Sequence, residues 1–295
     1  MSHGGAARIS SYASDAMRNR LNRLAVAIGG AGHSGSTLLG LVLGSHGDVF
    51  YAGEAKKSLF IGDEKKPLRK RVCKMCGPDC EVWSRFTVPP EPDLYEQLSR
   101  LTGRSVVVDS TKKPEWIRER RAEVDAGGGA HKIVYLVRDG RAVVNSRVRK
   151  YPELAPEVHV DQWIAQIQET DALVAERPDA AIQIRYEELA TEPEATVRRV
   201  CEFLEVAFEP SMLAYESVPH HPLGGNTGTQ SVVARAASID SELAKIPNRS
   251  AGFYAGLRGG FSLDLRWRDE LPDEVLRVFE ARATETNERF RWEAR

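Results

Sequence analysis

Short apolar runs recur along the chain at residues 24–28, 106–108, 133–137 and 181–184, separated by polar and glycine-punctuated stretches. The runs are unalternating and rich in β-branched residues, the pattern of strands buried on both faces of a parallel sheet. Between them the apolar spacing becomes helical. Residues 36–43 follow a glycine loop, and 92–101 and 114–124 both begin near a proline, which a helix start tolerates. Residues 161–175 place Trp163, Ile164, Ile167, Ala172 and Leu173 at amphipathic spacing, and 193–204 do the same with Val197, Val200, Cys201 and Leu204. Alternation of strand and helix predicts right-handed crossovers and an α/β, doubly wound, mostly parallel sheet flanked by helices. Ligands of such sheets sit beyond the carboxyl ends of the strands, so chemistry is expected just after each run.

After the first run comes Gly29-Gly30-Ala31-Gly32-His33-Ser34-Gly35-Ser36-Thr37-Leu38. Glycines let the backbone curl, amides point inward and the next helix presents its positive end, so the segment reads as an anion cradle. Ser34, Ser36 and Thr37 add hydroxyls. The spacing from Gly30 to Gly35 mimics a P-loop, but Ser36 stands where a nucleoside triphosphatase needs lysine. A short extended segment, 48–53, leads into Glu54. The run ending in Asp109 continues Ser110-Thr111-Lys112, and its aspartate also resembles the metal-binding acid of a nucleoside triphosphatase. Arg138 follows the fourth run, and Ser146 lies eight residues on in a helix that also carries Asn145 and Arg147. An arginine and a serine so spaced can converge on one phosphate, the guanidinium by bidentate bonds. The fifth run ends in Arg185-Tyr186-Glu187-Glu188, where Tyr186 reads as a core aromatic or a nucleobase platform.

Charge narrows the field. Across 295 residues, 41 Lys and Arg face 42 Asp and Glu, a formal net charge of −1, which leaves no global cationic field for coating nucleic acid. No apolar run approaches the ~18 residues of a membrane span. Residues 1–23 hold a single acid, Asp15, and no apolar stretch, so they read as a flexible tail or short helix rather than a secretory leader. Residues 24–295 read as one domain, expected in the cytoplasm.

Three of the four cysteines cluster as Cys73, Cys76 and Cys80, and Cys201 stands alone. Zinc normally takes four ligands, and no histidine lies near the cluster in sequence. A zinc site, a disulfide within the cluster and reduced thiols in a tight loop all stay open, and no metal ligand is assigned. Cys201 reads as a small buried apolar residue.

Taken in order, these segments resemble the sulfotransferases that use 3′-phosphoadenosine 5′-phosphosulfate (PAPS), in their bacterial and protein-tyrosine-type branch. His33-Ser34-Gly35-Ser36-Thr37-Leu38-Leu39 is similar to the family's 5′-phosphosulfate loop, with His33 in place of a cation. Val137 to Ser146 resembles the 3′-phosphate motif, and Arg185 to Leu189 the adenine-side motif. Gly53-Glu54, Asp109 to Lys112, the Cys73–Trp83 cluster, Trp163 and His221 to Asn226 also have counterparts in that branch. The segment 227–230 lacks an arginine often found there. The likeness runs from about residue 24 to 292.

The resemblance implies a P-loop-like nucleotide-binding fold and sulfuryl transfer from PAPS to a hydroxyl or amine of a small-molecule, lipid or glycan acceptor, with no metal required. It makes Glu54 the general base and Lys112 the charge stabiliser. Gly32, His33, Ser34, Gly35, Ser36, Thr37 and Leu38 would hold the 5′ end of the co-substrate, His33 adding charge if protonated. Arg138 and Ser146 would hold the 3′-phosphate, Tyr186 would pack on adenine, and Asn226 would also face the cofactor. The competing expectations are an ATP-dependent P-loop kinase, a non-catalytic nucleotide-binding relative, and a base drawn from His131, His159, His220 or His221. The acceptor loops are expected at 56–83, 151–161 and 223–258.

Overall fold

The computed structural model describes residues 19–246, 248–255, 257 and 260–293. Five strands form one parallel sheet: β1 (Leu24–Gly29), β2 (Val49–Gly53), β3 (Val106–Asp109), β4 (Ala130–Val137) and β5 (Ala181–Arg185), in the order β2-β3-β1-β4-β5. Every residue of β1, β2 and β3 is buried, which is why their sequences run apolar without alternation. The extended segment before Glu54 is the edge strand β2. The chain leaves β1 toward β2 on one side and later enters β4 on the other. The loop after β1 therefore lies where the strand order reverses.

The helices are α1 (Ser36–Leu43), α2 (Leu94–Thr102), α3 (Pro114–Ala126), α4 (Gly140–Lys150), α5 (Pro156–Ala175), α6 (Tyr186–Thr191), α7 (Pro193–Leu204), α8 (Thr227–Ala236) and α9 (Asp273–Glu288), with shorter turns between. α5 begins five residues before its expected start, because Pro156 fits the first turn of a helix and buried His159 and Val160 extend the inner face. The sequence pattern does not announce α8 or α9. α9 buries Val275, Phe279, Ala283 and Asn287, a four-residue stripe diluted by a small and a polar side chain. One core cluster surrounds the sheet with α1, α2 and α7; a second joins Tyr135, Val143, Val160, Trp163, Phe279 and Phe290 among α4, α5 and α9.

Residues 1–18 lie outside the described residues, so the expected tail is largely outside them too. Residues 20–22 of it are docked on α2. The Arg20 guanidinium meets Asp93 at 2.6 Å, the Leu21 and Asn22 amides donate to Glu96, and Asn22 is 0% exposed. Among the described residues no helix is long and apolar enough to cross a membrane.

Candidate functional site

A cleft of about 330 Å³ opens at the carboxyl ends of the strands. Its floor is the loop after β1. Gly30, His33 and Gly35 take positive φ values of 121°, 73° and 94°, which curl the backbone into a concavity. α1 starts at Gly35 with no side-chain cap and no acid in its first turn, so its leading amides face the cleft. Gly35 is required twice over: L residues rarely adopt its φ, and a Cβ there would stand 2.6 Å from Cδ2 of Tyr186. Gly32, His33, Gly35, Ser36, Thr37 and Leu38 line the cleft, but Ser34 is buried and does not. The Thr37 hydroxyl accepts the Asn226 amide at 2.8 Å, and Gln166 of α5 accepts the Gly32 amide at 2.9 Å. Gln166 had no sequence signal beyond its place on a helix.

Arg138, at the end of β4, and Ser146, within α4, form the second wall. Arg138 is only 6% exposed; it donates to the His33 carbonyl at 3.2 Å and the Asp264 carbonyl at 2.9 Å, and lies 4.2 Å from the Tyr186 ring centroid. Its Nε is buried without a partner among the described residues. Ser146 meets Nδ1 of His33 at 3.0 Å. Tyr186 is correspondingly engaged: its ring abuts Gly35 and Arg138, and its hydroxyl donates to Ser262 at 2.9 Å. It props the Arg138 side and offers little free face.

The charge that His33 would add if protonated is opposed by its surroundings. Desolvation, reinforced by Lys150, Arg147, Lys112 and Arg138, lowers its pKa to about 3. It acts as a hydrogen-bonding hinge between loop and α4, and the cationic charge comes from its neighbours.

Glu54 follows β2 across the cleft from Arg138. Gly53 allows this, since a Cβ there would lie 2.2 Å from the Leu223 carbonyl, which accepts the Glu54 amide at 2.7 Å. The Glu54 carboxylate pairs with Lys57 at 2.6 Å and accepts the Gly225 amide at 3.3 Å. Burial works to raise its pKa, but Lys57, Lys112 and the Gly225 amide outweigh it and hold the carboxyl below its ordinary value. Lys112 donates to the Ser110 carbonyl at 3.0 Å; burial lowers its pKa, while Glu54 and Asp109 oppose the shift.

Asp109 is engaged by protein donors on both carboxylate oxygens. Its two oxygens accept from the Ala55 and Thr111 amides, the Tyr95 hydroxyl and the Trp116 indole at 2.7–3.1 Å, and it is 1% exposed. The rival histidines lie elsewhere. His131 is near the amino end of β4, His159 is buried on α5, His220 bonds the Tyr215 carbonyl, and His221 joins the cysteines; among the described residues only His33 lines the cleft. Among the described residues six basic side chains do line it, Lys112, Arg138, Arg149, Lys150, Arg249 and Arg266, against the carboxylates Glu54 and Asp264. In a chain of net charge −1 this is a local excess of positive field, suited to a polyanion. Arg149 and Lys150 could have been found in sequence, being three and four residues after Ser146. Arg249 and Arg266 could not; both line the cleft from the C-terminal region, Arg266 paired there with Asp264. Of the expected acceptor loops, 223–258 reaches the cleft through Gly225 to Thr229, Phe253 and Tyr254; Gly256, Arg258 and Pro247 lie outside the described residues.

Comparison with known proteins follows the same segments. A model described as "Sulfotransferase family" matches residues 130–210, the span holding Arg138, Ser146 and Tyr186. "Protein-tyrosine sulfotransferase A" of Caenorhabditis elegans is 25% identical over 227 residues, covering 72% of this chain and 57% of that relative, so the chain spans little more than half its length. The sulfotransferase domain from the Synechococcus PCC 7002 olefin synthase is 17% identical with a TM-score of 0.51, covering 92% of this chain and 95% of that one. The sulfotransferase domain from the curacin biosynthetic pathway is 21% identical, with a TM-score of 0.49 over 88% of this chain and 96% of that one. The chain is thus similar to sulfotransferases over the span from β4 through α7, and it shares the P-loop-like α/β fold of a solved sulfotransferase domain.

Proposed function

We propose that the protein transfers a sulfuryl group from PAPS to a hydroxyl or amine of a small-molecule, lipid or glycan acceptor. The observation that carries this reading is the meeting of a lysine-free phosphate cradle with Arg138 and Ser146 in one cationic cleft, opposite Glu54 and Lys112. The cradle suits the 5′-phosphosulfate. Arg138 and Ser146 suit a second phosphate some distance away, which ordinary adenine nucleotides lack. Asn226 faces the same cleft beside Thr37 and caps α8, its side chain accepting the Thr229 amide at 2.9 Å.

In the proposed reaction the acceptor oxygen or nitrogen attacks sulfur in line with the departing 5′-phosphate oxygen. The S–O bond to the phosphate breaks as the new bond to sulfur forms, and the acceptor's proton passes to Glu54. Lys112 stabilises charge on the bridging and sulfuryl oxygens, as in phosphoryl transfer, where positioning and charge supply most of the barrier reduction. The reaction needs no metal in this scheme. An ATP-dependent kinase is disfavoured because Ser36 replaces the P-loop lysine and Asp109 is wholly engaged in structural bonds.

Calorimetric titration with 3′-phosphoadenosine 5′-phosphate (PAP), without magnesium, tests the reading. Arg138→Ala should weaken PAP binding by about 1.5–3 kcal/mol, one to two decades. The affinity for adenosine 5′-phosphate, which has no 3′-phosphate, should change far less. Equal losses for both nucleotides, or binding only of magnesium-ATP, would overturn it.

A further inference from the structure

Outside the cleft lining, Cys73, Cys76, Cys80 and His221 converge, their ligand atoms all within 4.8 Å of one another. The turn is built around the first sulfur. The Met75 and Cys76 amides point to Sγ of Cys73 at 3.4 and 3.5 Å, and the Gly77 amide closes the turn on the Cys73 carbonyl at 3.2 Å. Gly77 has φ +74°, a conformation that lets the chain turn back directly after Cys76. His221, 141 residues after Cys80, places Nδ1 3.4 Å from that sulfur and 3.2 Å from Sγ of Cys76. The opposite ring nitrogen faces the Glu81 carboxylate at 3.4 Å, and the Trp83 indole donates to the His221 carbonyl at 2.6 Å. The expectation that no histidine completes the cluster fails because His221 is distant in sequence and adjacent in space.

We propose that Cys73, Cys76, Cys80 and His221 bind one structural zinc ion. Zinc bonds of ~2.3 Å to sulfur and ~2.0 Å to nitrogen put tetrahedral neighbours about 3.4–3.8 Å apart, so the imidazole already stands near ligand spacing from Cys76 and Cys80, and all four ligand atoms lie within 4.8 Å of one another. Amides aimed at a sulfur favour the thiolate that zinc needs. A carboxylate on the outer nitrogen orients the ring, as partners of metal-bound histidines do. Four protein ligands leave no open position, so the ion holds structure rather than activating a water. Binding exchanges three thiol protons for the metal, with no redox step. A disulfide would use two sulfurs and give no reason for the third cysteine or the oriented imidazole; the cysteines are free in the structure.

The site has a definite mechanical position. Cys73 bridges to Leu223, and the Lys74 amide donates to the Pro222 carbonyl at 3.1 Å. Leu223 in turn bonds Ala52 and Glu54, and the Gly225 amide reaches the Glu54 carboxylate. Zinc would therefore anchor the strap that braces Glu54 while standing outside the cleft lining. This inference stands whether or not PAPS is the donor.

The test reads metal, not turnover. Full-length protein grown with zinc and purified under reducing, chelator-free conditions should carry about one zinc per chain by elemental mass spectrometry. Mercurial blocking of thiols should release it to a chromogenic chelator. Cobalt in its place should give the visible bands of a tetrahedral thiolate site. Cys76→Ser, which alters the exposed ligand, should lose those bands, whereas Cys201→Ala should keep them. Zinc-free protein with all four thiols titratable overturns the proposal, and so does a disulfide among Cys73, Cys76 and Cys80 in freshly reduced and repurified protein. Undiminished zinc in both Cys76→Ser and His221→Ala overturns it as well, since the ion would then sit elsewhere.

Discussion

Glu54 faces two opposing influences, and the balance sets the pH range in which it can accept a proton. Burial favours the neutral acid, while Lys57 at 2.6 Å and Lys112 favour the carboxylate and prevail. Because the pKa is depressed, Glu54 is ionised at neutral pH, and the acid limb of kcat/KM should lie below the ~4.3 of an ordinary glutamate. Lys57→Met removes the nearest cation, so Glu54's pKa must rise and that limb move to higher pH. A pH–rate profile checks this, and an unmoved limb would mean another group controls it. Glu54→Gln keeps the shape without the basicity. It should bind PAP normally yet turn over at least ~100-fold more slowly, as loss of a general base does. Near-wild-type turnover in this variant would remove Glu54 from the chemistry. His33 shows the limit of judging by residue type: a histidine in a cation's place suggests charge, but desolvation and the cations around it lower its pKa to about 3.

At the scale of elements, the cradle depends on the junction between the β1 loop and α1. Glycine at 35 is legible in the sequence as a turn; that Tyr186 occupies the space beside it is not. Gly35→Ala forces an alanine to φ near +94° against an aromatic ring, a strain of about 1–3 kcal/mol. The loss should appear as a lower midpoint in urea, or as weaker PAP binding if the loop shifts to relieve it. Unchanged values in both assays would mean that the loop accommodates a Cβ. The Arg138–Ser146 spacing was legible because one strand end and one helix carry both. Asp264 and Arg266, which complete the wall around Arg138 and Tyr186, come from a segment with no periodic signal.

For the whole molecule, Asp109 links the sheet to α2 and α3 by accepting Tyr95 and Trp116 as well as two amides. Asp109→Ala strands four buried donors and should cost about 3 kcal/mol or more in urea unfolding. An effect below about 1 kcal/mol would show that water or rearrangement satisfies them. The alternation of buried strands and amphipathic helices is local and periodic, so the sequence alone determined the parallel α/β sheet, the alternation of its strands with helices and the strand ends where the cleft opens, though not α8 or α9. It also determined the cradle, since glycines, hydroxyls and a helix start are adjacent in the chain. Partnerships between distant segments were decided only by the tertiary structure. His221 joins the cysteines, Lys57 restrains Glu54, Asp109 becomes a structural hub, and the pKa of His33 is lowered. These depend on which side chains meet and how far water is excluded, and neither is carried by spacing along the chain.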